Sequence, residues 1–160
     1  MSKRLKLYYI NEDYINYLRK FDSRVAYNKN ESRPYIGIVY QYHGIFYFAP
    51  LSSPKTKHLK MNKHMVDIWK IEDGKLGVVN FNNMIPCDMN VLIEAIPRIK
   101  DLKYKKLLEN QISSINANRD KLLHKIELFR RKYDHRQLQE NIMKRCCDFI
   151  LLEEKYELYK

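Results

Sequence analysis

Glycine is scarce in this chain, four residues in 160, and none of them sits in a loop of the kind that cradles nucleotide phosphates. With no Walker loop, no paired-glycine dinucleotide motif and no serine-hydrolase elbow, the common nucleotide-dependent and acyl-transfer chemistries lack a signature. Cysteine is nearly as rare: Cys87 and the neighbours Cys146 and Cys147 form an odd set without zinc-type spacing. Adjacent cysteines bridge each other only under strain, so buried or idle thiols in a reduced compartment are expected. The five histidines, His43, His58, His64, His124 and His135, contain no HExxH-type pair, which disfavours metal catalysis, and neither a metal nor a cofactor is expected. Nowhere do eighteen apolar residues run together, and the N-terminus turns acidic before a signal-peptide core can develop. A cytoplasmic protein that does not span a membrane is therefore expected.

Acidic residues are also short in supply, 19 against 30 lysines and arginines, leaving a formal charge of +11. The excess leans forward: residues 1–80 carry 14 basic and 7 acidic groups, residues 81–160 carry 16 and 12. Such a field draws polyanions, although a merely solvated basic surface accounts for the charge equally well. With 45% hydrophobic residues and only five prolines, low-complexity disorder is not indicated, and the length suits one folded domain over residues 1–160.

Periodicity assigns the elements. "LKLYYI" (5–10) is rich in strand formers, and Asn11 stands where an N-cap would, ahead of two acids that suit the positive end of a helix. Tyr14, Ile15, Leu18 and Phe21 then recur at helical spacing, leaving Tyr17, Arg19 and Lys20 for the wet side. "SRVAYNKNESRP" (23–34) has no apolar period and reads as a basic loop. "YIGIVYQYHGIFYFAPL" (35–51) is two strand-forming runs split at His-Gly, the strongest hairpin signal in the chain. "MVDIWKI" and "LGVVNF", separated by "EDGK", predict a second hairpin with an Asp-Gly turn, and "VLIEAI" predicts a further strand. From Asp101 a stripe of Tyr104, Leu108, Ile112, Ile115, Leu122, Ile126, Phe129 and Tyr133 continues at helical spacing. Unbroken, it would be roughly 50 Å long, far beyond the radius of gyration of about 15 Å expected for this length, so it either protrudes or breaks. "SSINAN" (113–118) is the expected break, because Ser and Asn compete with the helical backbone. "CDFILLEEKYELY" predicts a terminal helix capped by Asp148.

One short stretch concentrates chemistry. "APLSSPKTKH" (49–58) leaves a strand and collects hydroxyls, a rigid proline, cations and an imidazole. From Lys55 to His64 stand Lys55, Lys57, Lys60 and Lys63 with His58 and His64, and no carboxylate appears before Asp67. A lysine run is often only a solvated face. A loop leaving a stiff strand, however, holds its side chains in fixed places, as a phosphate site requires. The thirteen tyrosines supply stacking faces for single-stranded RNA, though most lie at strand or helix spacing and are expected to be structural.

"YIGIVYQYHGIFYFAPLSSPKTKH", "LGVVNFNNMIP" and "ILLEEKY" resemble, in order, the three signature regions of the ToxN/AbiQ family, and "YYINEDYINYLRKFD" is similar to that family's N-terminus. The resemblance implies an α+β fold with a compact, strongly twisted antiparallel sheet ringed by helices, akin to Kid/MazF toxins. It implies a metal-independent endoribonuclease toxin of a type III toxin–antitoxin system, acting in growth arrest and phage defence. The implied partners are single-stranded RNA substrates and an antitoxin RNA whose repeats fold as pseudoknots, closing with the toxin into a cyclic hetero-oligomer. The family's hydroxyl–Ser–Pro–Lys motif falls on Ser52, Ser53, Pro54 and Lys55, with Ser53 the central hydroxyl and Lys55 the phosphate partner. Tyr14 resembles the helix tyrosine of the site and Arg33 the basic residue before the second strand. Tyr27 and Lys29 compete for the family's loop tyrosine. Lys57, Lys60 and Lys63 would contact RNA.

Metal-free cleavage uses the ribose 2′-hydroxyl as nucleophile, giving a 2′,3′-cyclic phosphate and a 5′-hydroxyl. Such an enzyme must align the strand and neutralise the phosphorane. His58, or a cation-perturbed tyrosine or lysine, is the expected proton carrier, and a phosphate-contact or structural role fits His58 equally well. A noncatalytic RNA-binding protein using the same basic groove, and an interaction scaffold built on the long helical segment, are the competing readings.

Overall fold

A computed structural model describes residues 4–159. Among the described residues seven strands, β1 (Lys6–Ile10), β2 (Tyr35–Tyr42), β3 (Ile45–Ser52), β4 (Ile68–Lys70), β5 (Val78–Asn80), β6 (Ile85–Pro86) and β7 (Leu92–Glu94), form one sheet in the order β4-β5-β3-β2-β1-β7, with β6 paired to β3 off that path and every pairing antiparallel. At its centre β2 (Tyr35–Tyr42) and β3 (Ile45–Ser52) form the expected hairpin. Tyr42 lies opposite Ile45, so His43 and Gly44 alone make the turn, both with φ in the left-handed region at 48° and 81°. Two consecutive positive φ values are what a two-residue turn needs to match the twist of its strands.

β1 (Lys6–Ile10) pairs with β2 and leads through Asn11 into α1 (Glu12–Arg19). The Asn11 side chain accepts from the Tyr14 N–H at 3.1 Å, satisfying an otherwise orphaned donor. Tyr14, Ile15 and Leu18 are buried as their spacing predicts. Phe21 is not: it is 41% exposed, edge-on to Tyr17 and beneath the Lys155 ammonium. Tyr17 in turn is half-buried, its hydroxyl donating to the Lys155 carbonyl at 2.6 Å, because the terminal helix covers the side of α1 that the sequence pattern leaves to water.

The second hairpin forms with shorter strands and a wider turn than the sequence predicts. β4 (Ile68–Lys70) and β5 (Val78–Asn80) pair with Lys70 opposite Val78, leaving residues 71–77 as the connection in place of a tight Asp-Gly turn. β6 (Ile85–Pro86) and β7 (Leu92–Glu94) are short; β7 pairs with β1 at the edge.

The apolar stripe divides as α3 (Leu102–Ala117) and α4 (Arg119–Asp134), broken at Asn118. Side-chain competition makes the break. Asn118 Nδ2 donates back to the Ser114 carbonyl at 2.9 Å, while Asn116 accepts from the Leu5 N–H at 2.8 Å and donates to the Leu5 carbonyl at 3.0 Å. Leu108, Ile115, Leu122, Ile126, Phe129 and Tyr133 are buried with the apolar face of the sheet, so the stripe is core and the scaffold reading loses its basis. After the short α5 (Glu140–Met143), α6 (Phe149–Leu158) starts at Asp148, whose carboxylate accepts from the Leu151 N–H at 3.1 Å.

Arg130 ties these layers together from within the core. It pairs with Asp134 at 2.9 Å and Glu153 at 3.1 Å, and its guanidinium lies 5.0–5.7 Å from the ring centroids of Tyr40, Tyr42, Tyr47, Tyr133 and Phe149. Burial opposes its charge, and Tyr47, Asp134 and Glu153 more than offset that cost, raising its pKa. Glu153 also accepts from the Tyr47 hydroxyl, so "ILLEEKY" contributes a packing anchor between helix and sheet.

Candidate functional site

The chemistry-rich loop leaves the end of β3, where Ser52 lies opposite Val78 of β5. Ser52 and Asn80 point to one face of their adjoining strands as diagonal neighbours. Asn80 Nδ2 donates to Ser52 Oγ at 2.9 Å and reaches the Pro50 carbonyl at 3.4 Å. A hydroxyl that accepts in this way keeps its own proton to donate elsewhere. Ser53, Pro54 and Lys55 follow, all exposed. The backbone beneath them has no spare room: Gly77, at φ 94°, lies so close that a Cβ there would collide with the Ser52 carbonyl oxygen.

The segment continues as a short helix, not as an open loop. α2 (Thr56–Lys60) begins at Lys55, whose backbone N–H donates to His58 Nδ1 at 3.1 Å while the His58 N–H donates to the Lys55 carbonyl at 2.9 Å. An accepting Nδ1 requires the neutral ring with its proton on Nε2. Burial, with only 1% of His58 exposed, together with Lys57, Lys55 and Lys70, pushes its pKa below the ordinary 6.5. His58 is therefore a brace for the Lys55 backbone, the structural one of the roles that the sequence leaves open to it. Gly74 packs just as tightly beneath the His58 carbonyl, where a Cβ would clash.

The basic loop at 23–34 closes the other side. Arg33 Nε donates to the Tyr27 carbonyl at 2.7 Å and its NH1 to the Leu51 carbonyl at 3.4 Å, one residue before Ser52. Buried Asn28 anchors this loop, donating to the Ile10 carbonyl at 2.9 Å and to Glu12 Oε2 at 3.0 Å. Glu12 and Glu31 also exchange backbone-to-carboxylate hydrogen bonds at 2.8 and 3.0 Å. These bonds hold Lys29, Asn30 and Glu31 in the left-handed region, at φ 50°, 57° and 64°. Tyr27 ends up 68% exposed, with the Arg19 guanidinium 4.9 Å from its ring centroid. Arg19 is itself held by the Val25 and Ser23 carbonyls.

Ser52, Ser53, Lys55, Arg33 and Tyr27 thus meet at one end of β3. Lys29 is exposed in the turn beside them, its carbonyl accepting from Ser32 Oγ at 2.6 Å. Lys57 and Lys60 are exposed on α2, and Lys63 follows just beyond it. Tyr14 is the exception. It is 1% exposed, its hydroxyl donates to the Pro86 carbonyl, and burial pushes its pKa far up, with Cys87, Tyr156, Tyr17 and Tyr47 adding to the shift. Pro86 lies opposite Tyr47, five residues before Ser52, about 16 Å along an extended strand. Tyr14 belongs to the packing between α1 and α6, where it stacks with Tyr17 and meets Tyr159 edge-on. Asn80, Arg19 and Gly77 are the contributors that sequence reasoning missed; of these only Asn80 had a signal, a polar residue closing the run "LGVVN".

A family model described as "Toxin ToxN, type III toxin-antitoxin system" matches residues 6–157. Endoribonuclease ToxN of Pectobacterium atrosepticum is 32% identical over 95% of this chain and 92% of its own. Endoribonuclease AbiQ of Lactococcus lactis subsp. lactis is 33% identical over 97% of this chain and 89% of its own. The solved structure of AbiQ, described as a lactococcal anti-phage endoribonuclease, superimposes with a TM-score of 0.84 at 31% identity, covering 98% of both chains. A second, from work on selective toxin inhibition by a non-coding RNA pseudoknot, gives a TM-score of 0.81 at 30% identity over 98% of both chains.

Proposed function

Because the chain belongs to the ToxN family of type III toxin–antitoxin systems, we propose that the end of β3 is where it cuts single-stranded RNA. It is an endoribonuclease toxin with a role in phage defence, and its RNA partner is a non-coding pseudoknot that inhibits it. The observation that carries the site is the meeting of two hydroxyls, an exposed ammonium and an anchored guanidinium at one rigid strand end.

The reaction follows from what those groups do. The groove splays the strand so that the ribose 2′-oxygen lies in line with the bond to be broken, which is entropic work. The 2′-oxygen bonds to phosphorus, the P–O5′ bond breaks, and a 2′,3′-cyclic phosphate and a 5′-hydroxyl result. Ser53 orients the 2′-hydroxyl, whose proton passes to water, since a serine is no base near neutrality. Lys55 and Arg33 face the negative phosphorane, Ser52 donates to a nonbridging oxygen while Asn80 fixes its oxygen, and the Lys55 ammonium gives a proton to the departing 5′-oxygen and regains one from water. The nucleophile belongs to the substrate, so no metal is required to generate it. Tyr27 offers an exposed face on which a flanking base stacks.

Cleavage of a repeated precursor would release pseudoknots that bind in the same groove, closing toxin and RNA into a ring. Among the described residues no helix is long and apolar enough to cross a membrane, and the cysteines are free and buried; we place the protein in the cytoplasm, where its substrates are.

One RNA tests the reading. A substrate with a single 2′-deoxy nucleotide at the cut should bind as before and resist cleavage, and chelating magnesium should not slow the unmodified RNA. Cleavage of the deoxy substrate would show that the nucleophile is misassigned.

A further inference from the structure

Beyond α2 the chain enters a cavity of about 420 Å³ that the cleavage chemistry does not use. One wall is the segment after α2, with Asn62 and His64; the other is α4 and the α5 region, with Lys132, Gln139, Asn141 and Arg145. Its volume lies in the lower part of the range for small-ligand sites, about 300–1,000 Å³. No carboxylate lines it. Asp67 is buried nearby, where it accepts from Asn82 at 3.0 Å and pairs with Arg145 at 3.0 Å, fixing that guanidinium in the wall. His64 is likewise placed, its backbone N–H donating to Asn62 Oδ1 at 2.8 Å.

Two features define the ligand. The Lys132 ammonium, with no carboxylate in the lining, favours an anion, the His64 ring adds an N–H donor, and amides at Asn62, Gln139 and Asn141 offer both donors and acceptors, as a nucleobase edge demands. The second feature is continuity with the cleavage loop. From Lys55 through Lys57, Lys60 and Lys63 to His64 the chain presents cations without one intervening carboxylate, and all four lysines are exposed. A phosphodiester backbone tracks such a row.

We propose that this cavity is a second RNA subsite, which takes one nucleotide of the strand away from the cut, its phosphate on Lys132 and His64 and its base among the amides. The inference rests on the RNA-cleaving reading above and extends it to the far end of the strand's path. The subsite holds substrate and leaves the chemical step alone, so it sets affinity and sequence preference more than turnover.

Binding measured without cleavage tests it. The probes are fluorescent 2′-O-methyl RNAs of random sequence, one of 20 nucleotides and one of four, followed by anisotropy at several salt concentrations. The proteins are the unaltered chain, Lys132→Ala, Lys132→Arg, the double variant Lys132→Ala/His64→Ala, and Lys106→Ala on α3 as a distant exposed cation, with thermal midpoints recorded for each. The double variant should bind the 20-mer about 10-fold more weakly and the four-mer within about two-fold. Its salt slope should fall by about 0.7 for each phosphate that is no longer neutralised. Lys132→Arg should restore affinity, and Lys106→Ala should change little. Equal affinity and slope for the double variant and the unaltered chain would overturn the subsite and leave the cleavage reading standing. An equal weakening by Lys106→Ala would also overturn it, by showing diffuse charge. Failure of the unaltered chain to bind either RNA would bring down the RNA reading itself.

Discussion

Lys55 is exposed at the N-terminus of α2, and its backbone, not its side chain, is what the fold restrains. Replacing it with alanine should therefore spare the fold and cost on the order of 100-fold or more in single-turnover cleavage, because a charge-stabilising donor is removed from the phosphorane. Ser53→Ala should behave alike, and Asn80→Ala more mildly, since it only frees the Ser52 hydroxyl to rotate; time courses on one RNA would rank the three. His58 sets a pH dependence whose sign can be worked out. Its folded pKa lies below the ordinary 6.5, so as pH falls the unfolded chain binds the proton first. The stability it contributes is complete above pH about 6.5 and is lost as pH falls through the lowered folded value. Thermal midpoints between pH 5 and 8 should drop on the acid side, and His58→Asn should flatten that slope; an unchanged slope would mean that His58 does not brace the loop. The sequence made the hydroxyls and cations of "LSSPKTKH" visible because they are neighbours in the chain. It left the role of His58 open, since a histidine three residues past a helix start reads the same whether it faces solvent or its own backbone.

Among the elements, the connection between β4 and β5 matters most, because it floors the proposed cleavage loop. Gly77→Ala adds one carbon against the Ser52 carbonyl at a backbone angle that side chains rarely adopt. It should lower both the melting temperature and cleavage, with the loss of activity exceeding any fall in folded population measured by circular dichroism. At the start of α6, Asp148→Ala removes a capping acceptor and should cost about 1 kcal/mol, or roughly 2–4 °C in melting temperature for a chain of this size. Helix starts of this kind were legible because capping is local. The β2–β3 hairpin and the break at Asn118 were legible for the same reason. The wide turn of the second hairpin was not: Asp-Gly suits a tight turn locally, and tertiary packing of Gly74 and Gly77 against residues 52–58 overrides that preference.

For the molecule as a whole, Arg130 is the test of cohesion. Arg130→Ala leaves Glu153 without its cation and opens space among five aromatic rings, so a loss of about 3–5 kcal/mol is expected, read from urea denaturation. Glu153→Gln should be milder, because its amide still accepts from Tyr47. The basic surface acts at this scale too. Binding of a 20-nucleotide RNA should weaken linearly on a log scale with salt, by a slope of about 0.7 per phosphate neutralised, and a flat response would remove the electrostatic basis for RNA capture.

Composition and spacing alone were enough to determine the charge excess, the antiparallel hairpins, the helical stripe and the cluster of hydroxyls and cations proposed as the site, because each rests on residues close in the chain. Only the tertiary structure decided that Arg33 and Tyr27 come to the end of β3, that Tyr14 is sealed some distance away, and that Arg130 holds sheet and helices together. Those outcomes depend on pairings such as Arg33 with Leu51 and Arg130 with Glu153, between segments that the linear order keeps apart. Periodicity reports which side of an element is apolar; which other element that side meets is settled when the whole core packs at once.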